Sequence, residues 1–207
     1  MYANVCSSRF RGSEDYWVNR YRRGGDSGPG SYHDLAVFKA DVINGFVKEH
    51  HIRTVIEYGC GDGNQLKLAA YPEYLGFDVS PAALSRCQDI FADDGSKSFK
   101  LMNDYNGETA ELTLSLDVVY HLIEDEVFAS YMRRLFDSAS RFVMVYSTDT
   151  DRQEKVQLPH VKNRKFTSWV GEHMQGWTLR RHVLPPYPCR GESRKVSPAE
   201  FFIYERA

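Results

Sequence analysis

The chain has 207 residues, 42% of them hydrophobic, which is enough for one full core and too few for two comfortable domains. Its 26 Lys and Arg against 28 Asp and Glu leave a formal charge of -2, a balance that argues against nucleic acid as a partner, because its readers carry a dense basic face. "MYANVCSSRFRG" has no apolar stretch of signal-peptide length and no window approaches the roughly 20 apolar residues of a bilayer span, so the expectation is a soluble, cytoplasmic protein without membrane insertion.

From Asp34 to His50, Leu35, Phe38, Val42, Ile43, Phe46 and Val47 recur at helical spacing, and Ser31 with Asp34 has the form of a capping box. The spacing predicts an amphipathic helix ahead of a first strand, Thr54 to Tyr58. A cluster of three glycines follows, then a helix from Gln65 to Ala70 that ends before Pro72. Tyr74 to Asp78 reads as the next strand. "SPAALSRCQDIF" follows it with Ser80 as N-cap and Pro81 at the first helical position, where its missing N–H costs nothing. Ser98 to Met102 reads as a strand, and Leu112, Leu114, Leu116 and Val118 alternate towards another. A helix is expected from Glu126 to Ala139, and a strand over "RFVMVYS", 141–147.

Strands alternating with helices imply parallel βαβ units and a doubly wound sheet, Rossmann-like in its first half. The end of the chain differs. "GWTLRRHVL" (176–184) and "AEFFIYER" (199–206) are strand-like, joined by a turn-rich stretch with Pro185, Pro186, Pro188 and Gly191, and should pair antiparallel at the sheet edge. The expected fold is therefore α/β: a doubly wound, mostly parallel, seven-stranded sheet with an antiparallel C-terminal hairpin.

In such a sheet, ligands sit beyond the carboxyl ends of the strands, where the first strand ends. Gly59, Gly61 and Gly63 occupy that place, and glycine lets the backbone take positive φ and come within contact distance of a ligand. A dinucleotide fingerprint would put a third glycine or alanine where Asn64 stands, and the turn carries an anionic Asp62, so it makes a poor phosphate cradle. Glu57 and Asp62 suit a cationic ligand better.

"VIEYGCGDG" resembles motif I, E-x-G-x-G-x-G, of the class I methyltransferases that use S-adenosylmethionine. The resemblance implies that Gly59, Cys60 and Gly61 back onto the methionine portion and that Glu57 holds its amino group. "YLGFDVS" is similar to the end of the second strand in that family, which would put Asp78 on the two ribose hydroxyls, with Val79 beside it. "LMNDYNGE" would supply Asp104 for the adenine amino group and Tyr105 for the ring. "LSLDVVYHLIED" resembles the fourth-strand segment, whose backbone at Leu116 and Asp117 passes under the sulfonium.

"YWVNRYRRGG" resembles the N-terminal lid of a subset of these enzymes, with Tyr16, Trp17 and Tyr21 shielding the cofactor and Arg20 meeting the methionine carboxylate. This stretch, "SLDVVYHL" and "FTSWV" also resemble small methyltransferases of bacterial polysaccharide gene clusters. The resemblance implies one methyltransferase domain: an N-terminal helical lid (1–50), a cofactor-binding core (51–147), and a substrate loop with C-terminal strands (148–207). Methyl transfer from S-adenosylmethionine to a small-molecule or glycan acceptor, an O-methyl transfer to a carbohydrate or related metabolite, is the implied activity.

The methyl on a sulfonium is already activated, so alignment and exclusion of water supply most of the acceleration, and a base matters only if the acceptor must lose a proton. His121, after the fourth strand, is the candidate base; a packing or helix-starting role is the bland alternative. The segment 148–165, "TDTDRQEKVQLPHVKNRK", is long for a connection. Its His160, Lys162, Arg164 and Lys165 suit an anionic acceptor, although Asp149, Asp151 and Glu154 dilute the charge. Cys6, Cys60, Cys87 and Cys189 lack Cys-x-x-Cys spacing and read as reduced thiols. The adjacent His50 and His51 diverge at a helix end, so no metal is expected. A nicotinamide-dependent oxidoreductase and a noncatalytic S-adenosylmethionine-binding module share enough of these features to stay open as alternatives.

Overall fold

The computed structural model describes residues 10–185 and 198–207. Cys6, Pro186, Pro188, Cys189 and Gly191 lie outside the described residues, so the expectations about them are not addressed. Among the described residues the chain forms α1 (Ser13–Arg22), α2 (His33–Glu49), β1 (Thr54–Tyr58), β2 (Glu73–Asp78), α3 (Pro81–Ile90) and β3 (Lys97–Leu101). It continues through β4 (Ala110–Leu116), α4 (Asp125–Asp137), β5 (Ala139–Ser147), α5 (Phe166–His173), β6 (Trp177–Val183) and β7 (Glu200–Arg206).

The strands join in the order β3-β2-β1-β4-β5-β7-β6, parallel from β3 to β5 and antiparallel where β7 enters between β5 and β6. Side chains along a strand alternate between faces, and the apolar set follows. Phe142, Met144 and Tyr146 of β5 pack with Val55, Leu112 and Leu114 against Ile43, Phe46 and Val47 of α2. Val143 and Val145 face the other layer, with Ile56, Tyr58, the α4 residues Phe128, Met132, Leu135 and Phe136, and the α5 residues Phe166 and Val170. Each such fully buried side chain contributes about 1.5–3 kcal/mol of transfer free energy. With helices on both faces, ligand access is left to the strand ends. Strand order reverses between β1 and β4, which opens a crevice there.

Four local readings are corrected. Ser31 does not cap α2: it belongs to a separate 3-10 turn, Pro29–Ser31, and Tyr32 precedes the helix without a side-chain cap. The helix expected from Gln65 to Ala70 is one 3-10 turn, Gln65–Leu68, because the chain is already extended at Ala69. Val118 is not part of β4, since the strand stops at Leu116 and Asp117 takes φ 59°. The unexpected element is α5, eight residues in a stretch where the sequence predicts no element, between the segment 148–165 and the strand expected from 176. Ser80 caps α3 as expected, accepting the Ala83 N–H at 3.4 Å. No helix among the described residues is long and apolar enough to cross a membrane.

Candidate functional site

At the end of β1 the Gly59 and Cys60 N–H groups both donate to the Phe77 carbonyl, at 2.7 and 3.0 Å, which curls the turn back over β2. Gly59, Gly61 and Gly63 have φ of 84°, 59° and 77°. Two of them are also demanded by space: a Cβ on Gly59 would lie 2.5 Å from Val118 Cγ2, and one on Gly61 would run into Ser27 Oγ. The turn is a cradle that side chains would fill.

Two carboxylates flank it, both buried. Glu57 Oε2 accepts the Tyr74 hydroxyl at 2.6 Å, and burial pushes the Glu57 carboxyl up to about 7 against the pull of Tyr74 and Lys39. Asp78, at the end of β2, accepts the N–H groups of Gly61 (3.0 Å) and Ser80 (2.8 Å). Burial raises it to about 6 in spite of them. These groups open onto a cavity of about 830 Å³, whose wall also includes Cys60, Val79, Leu116, Asp117, Trp17, Tyr21 and His121. The structure thus brings these sequence candidates together around the strand ends.

Other candidates do not line the cavity. Arg20 is bound to Asp26, side chain at 2.8 Å and carbonyl at 2.6 Å, so its guanidinium closes the loop after α1 instead of pointing inward. Asp104 and Tyr105 end the 3-10 turn Met102–Asp104, and it is Met102 and Asn103 that reach the wall. Tyr105 packs on Tyr58 and Phe77 beneath the Arg134 guanidinium. The basic loop is spent internally as well. Lys162 Nζ meets Asp125 at 2.7 Å, and Arg164 joins the same carboxylate while donating to the Leu122 and Ile123 carbonyls. Both cations pair with one carboxylate, Asp125, 37 and 39 positions upstream, so the cluster keeps a single net positive charge, and neither side chain lines the cavity.

Among the wall residues that the sequence reading missed, Lys39 and Gln65 stand out. Lys39 of α2 is fully buried, with Nζ 2.6 Å from Asp117 Oδ2 and 5.4 Å from the Tyr146 ring centroid. Its signal was present: it falls on the apolar stripe between Leu35 and Ile43, where a charge needs a partner. Asp117 is held in the left-handed region between Lys39 and the Tyr120 hydroxyl, which donates to Oδ1 at 2.8 Å. Gln65 donates through Nε2 to the Ala36 carbonyl, while its Oε1 is buried with no partner. Gln65 is among the residues that line the cavity.

α1 and the segment after it strap the cavity at both ends. At the glycine turn, Asp62 Oδ2 accepts from the Ser27 N–H (3.0 Å) and the Tyr32 hydroxyl (2.9 Å), and the Asp62 N–H donates to Ser27 Oγ. At the other end Glu124 accepts from the Ser13 N–H (3.0 Å) and hydroxyl (2.6 Å). Trp17, from the middle of the strap, meets His121 edge-on at 4.9 Å between ring centroids. His121 Nδ1 is 2.7 Å from the His160 carbonyl, and a carbonyl only accepts, so Nδ1 carries the hydrogen and Nε2 keeps its lone pair. Burial lowers His121 to about 4, which keeps the ring neutral. Tyr16 and His160 are not on the wall but stack on each other beside this histidine, at 4.0 Å.

No family model matches the sequence, and no curated protein matches it. Solved structures do. The N-methyltransferase NodS from Bradyrhizobium japonicum, in complex with S-adenosyl-L-homocysteine, superposes with a TM-score of 0.70 at 13% identity, over 94% of this chain and 98% of that one. Magnesium protoporphyrin IX methyltransferase from Synechocystis, with the same ligand bound, gives 0.66 at 15% identity over 94% and 98%. The methyltransferase domain of bacterial CtHen1-C gives 0.65 at 19% identity, over 84% and 99%. The chain has the fold of the class I S-adenosylmethionine-dependent methyltransferases, in a mostly parallel seven-stranded sheet with an antiparallel end.

Proposed function

We propose that the cavity holds S-adenosylmethionine and that the protein transfers its methyl group to a small polar acceptor, an oxygen of a carbohydrate or related metabolite. The observation that carries this reading is the pair of buried carboxylates, Glu57 and Asp78, on either side of a turn whose glycines a Cβ would fill. The wall fits the group. Gln65 and Glu57 both line the cavity, and Glu57 suits an ammonium. Asp78 has the lone pairs to accept from both ribose hydroxyls while keeping its N–H partners, and the Asn103 amide takes over the adenine role expected of Asp104. Val79, Leu116 and the Asp117 backbone supply the remaining contact surface.

When bound, the sulfonium supplies an activated methyl group and a positive charge. The protein's own residues then have three tasks. The carboxylates and the glycine turn orient the donor; Trp17 and Tyr21 on the strap exclude water; and His121 Nε2 receives the acceptor's proton as the new bond forms. A base as weak as this His121 is adequate only where the methylated acceptor is itself strongly acidic, as a protonated ether oxygen is. Lys162 and Arg164 both turn to Asp125 and do not line the cavity, which favours an uncharged polar acceptor over the anionic one, and the carbohydrate class rests on the sequence resemblance.

Thermal denaturation with S-adenosylmethionine, S-adenosylhomocysteine and NADH tests the reading, since a ligand at 100 times its dissociation constant adds about 2.7 kcal/mol of stability. Both adenosyl ligands are expected to raise the midpoint. A rise with NADH alone would replace this proposal with the oxidoreductase.

A further inference from the structure

A weak base works only if it is aimed, and imidazole in water prefers the tautomer with hydrogen on Nε2, the opposite of what this cavity needs. One contact at His121 reverses that preference, and two ring contacts hold its partner in place. The His160 carbonyl accepts from Nδ1 at 2.7 Å; the His160 ring stacks with the His121 ring at 5.3 Å and 23°; and the His160 ring also stacks with Tyr16 of α1, at 4.0 Å and 10°. The backbone around these rings is tied down too. Lys162 N–H donates to the Tyr120 carbonyl at 2.8 Å, Val161 N–H to Leu158 at 2.9 Å, and the Arg164 guanidinium to the carbonyls of Leu122 and Ile123. Residues 158–164 are thereby joined to the turn carrying His121 on both sides of that residue.

We propose that Tyr16 and His160 are positioning residues for His121: the Tyr16 ring holds the His160 ring, the His160 carbonyl fixes hydrogen on Nδ1, and the Nε2 lone pair is left facing the methyl acceptor. The catalytic consequence rests on the methyl-transfer reading; the geometry does not. Tyr16 belongs to the strap and His160 to the loop after β5, so lowering the strap and aligning the base are one event. His160 acquires a role different from the acceptor contact that its position in a basic loop suggests. It acts on His121 and touches no ligand.

The test needs no acceptor. The full chain is labelled with 15N-histidine and two-bond 1H–15N spectra are recorded at pH 7.5, with His121→Gln assigning the resonance. The expected wild-type pattern is an unprotonated Nε2 and a protonated Nδ1. Tyr16→Ala, and His160→Ala, which keeps the carbonyl but removes the stacked ring, should move His121 to a mixture of tautomers. Tyr16→Phe, which keeps the stack, should restore the wild-type pattern. Hydrogen on Nε2 in the wild type, or an unchanged pattern in both alanine variants, overturns the proposal. S-adenosylhomocysteine affinity, measured on the same samples by calorimetry, is expected to stay within about threefold across the Tyr16 and His160 variants. Absent binding in the wild type defeats the functional reading and leaves the tautomer result to be judged alone.

Discussion

The floor of the cavity and its rim both carry charges, and they treat them differently. At the floor, Lys39 and Glu57 are almost wholly out of water, and Asp117 is 13% exposed at the side chain. At the rim, Asp125 is 75% exposed, and Lys162, Arg20 and Asp26 all reach solvent. An exposed pair is worth little because water competes for both ions, whereas a buried ion that loses its partner keeps its full desolvation cost. Charge at the floor is therefore specific and costly to disturb; charge at the rim mostly fastens loops. The lesson is that the density of basic residues in 148–165 says less about ligands than a single Lys39 on an apolar stripe.

The largest expected effect is at that lysine. Lys39→Met leaves Asp117 half-paired at the cavity floor and should cost about 3 kcal/mol, seen as a fall of roughly 10 °C in the melting midpoint. Removing the second charge as well, in Lys39→Met with Asp117→Asn, should recover part of it; a double variant no better than the single one would break the contrast. Asp78→Ala comes next. It leaves the Gly61 and Ser80 N–H groups and two ligand hydroxyls without an acceptor, so S-adenosylhomocysteine should bind about 100-fold more weakly by calorimetry.

The pH dependence sharpens the comparison. Burial raises Glu57 to about 7 and Asp78 to about 6, so both are largely protonated below those values, and a ligand that donates to their charged forms must displace a proton. Affinity should rise by about 20-fold as pH increases from 6 to 8, about tenfold from Glu57 and about twofold from Asp78. Glu57→Gln should flatten the limb near 7 and keep the one near 6. An affinity that falls with rising pH would contradict the assignment of either carboxylate. The smallest effect is at the rim: Lys162→Ala should change stability by about 0.5 kcal/mol or less and leave ligand affinity unaltered.

What was legible in the sequence follows from the same division. Glu57, the glycine turn and Asp78 sit where strands end, and strands announce themselves by β-branched and apolar residues over four to seven positions. The antiparallel end was readable for that reason. Long-range pairings were not, because nothing local to Lys162 or Arg164 names Asp125 as their partner, and nothing local to Arg20 distinguishes Asp26 from a ligand carboxylate. α5 was missed because "FTSWVGEH" is rich in aromatic and β-branched residues, contains Gly171, and forms a helix through the burial of Phe166 and Val170 more than by propensity. Asp104 was expected from the family resemblance, whereas Asn103 is the neighbour on the cavity wall. The 3-10 turn that places them has no periodic signature.

The strap pinned by Ser27 on Asp62 and by Ser13 on Glu124 bears on timing more than on strength. On the methyl-transfer reading, release of these pins should help to set the pace at which the nucleoside enters and leaves. Loosening the Glu124 end should quicken the exchange of bound nucleoside in both directions while moving the equilibrium far less.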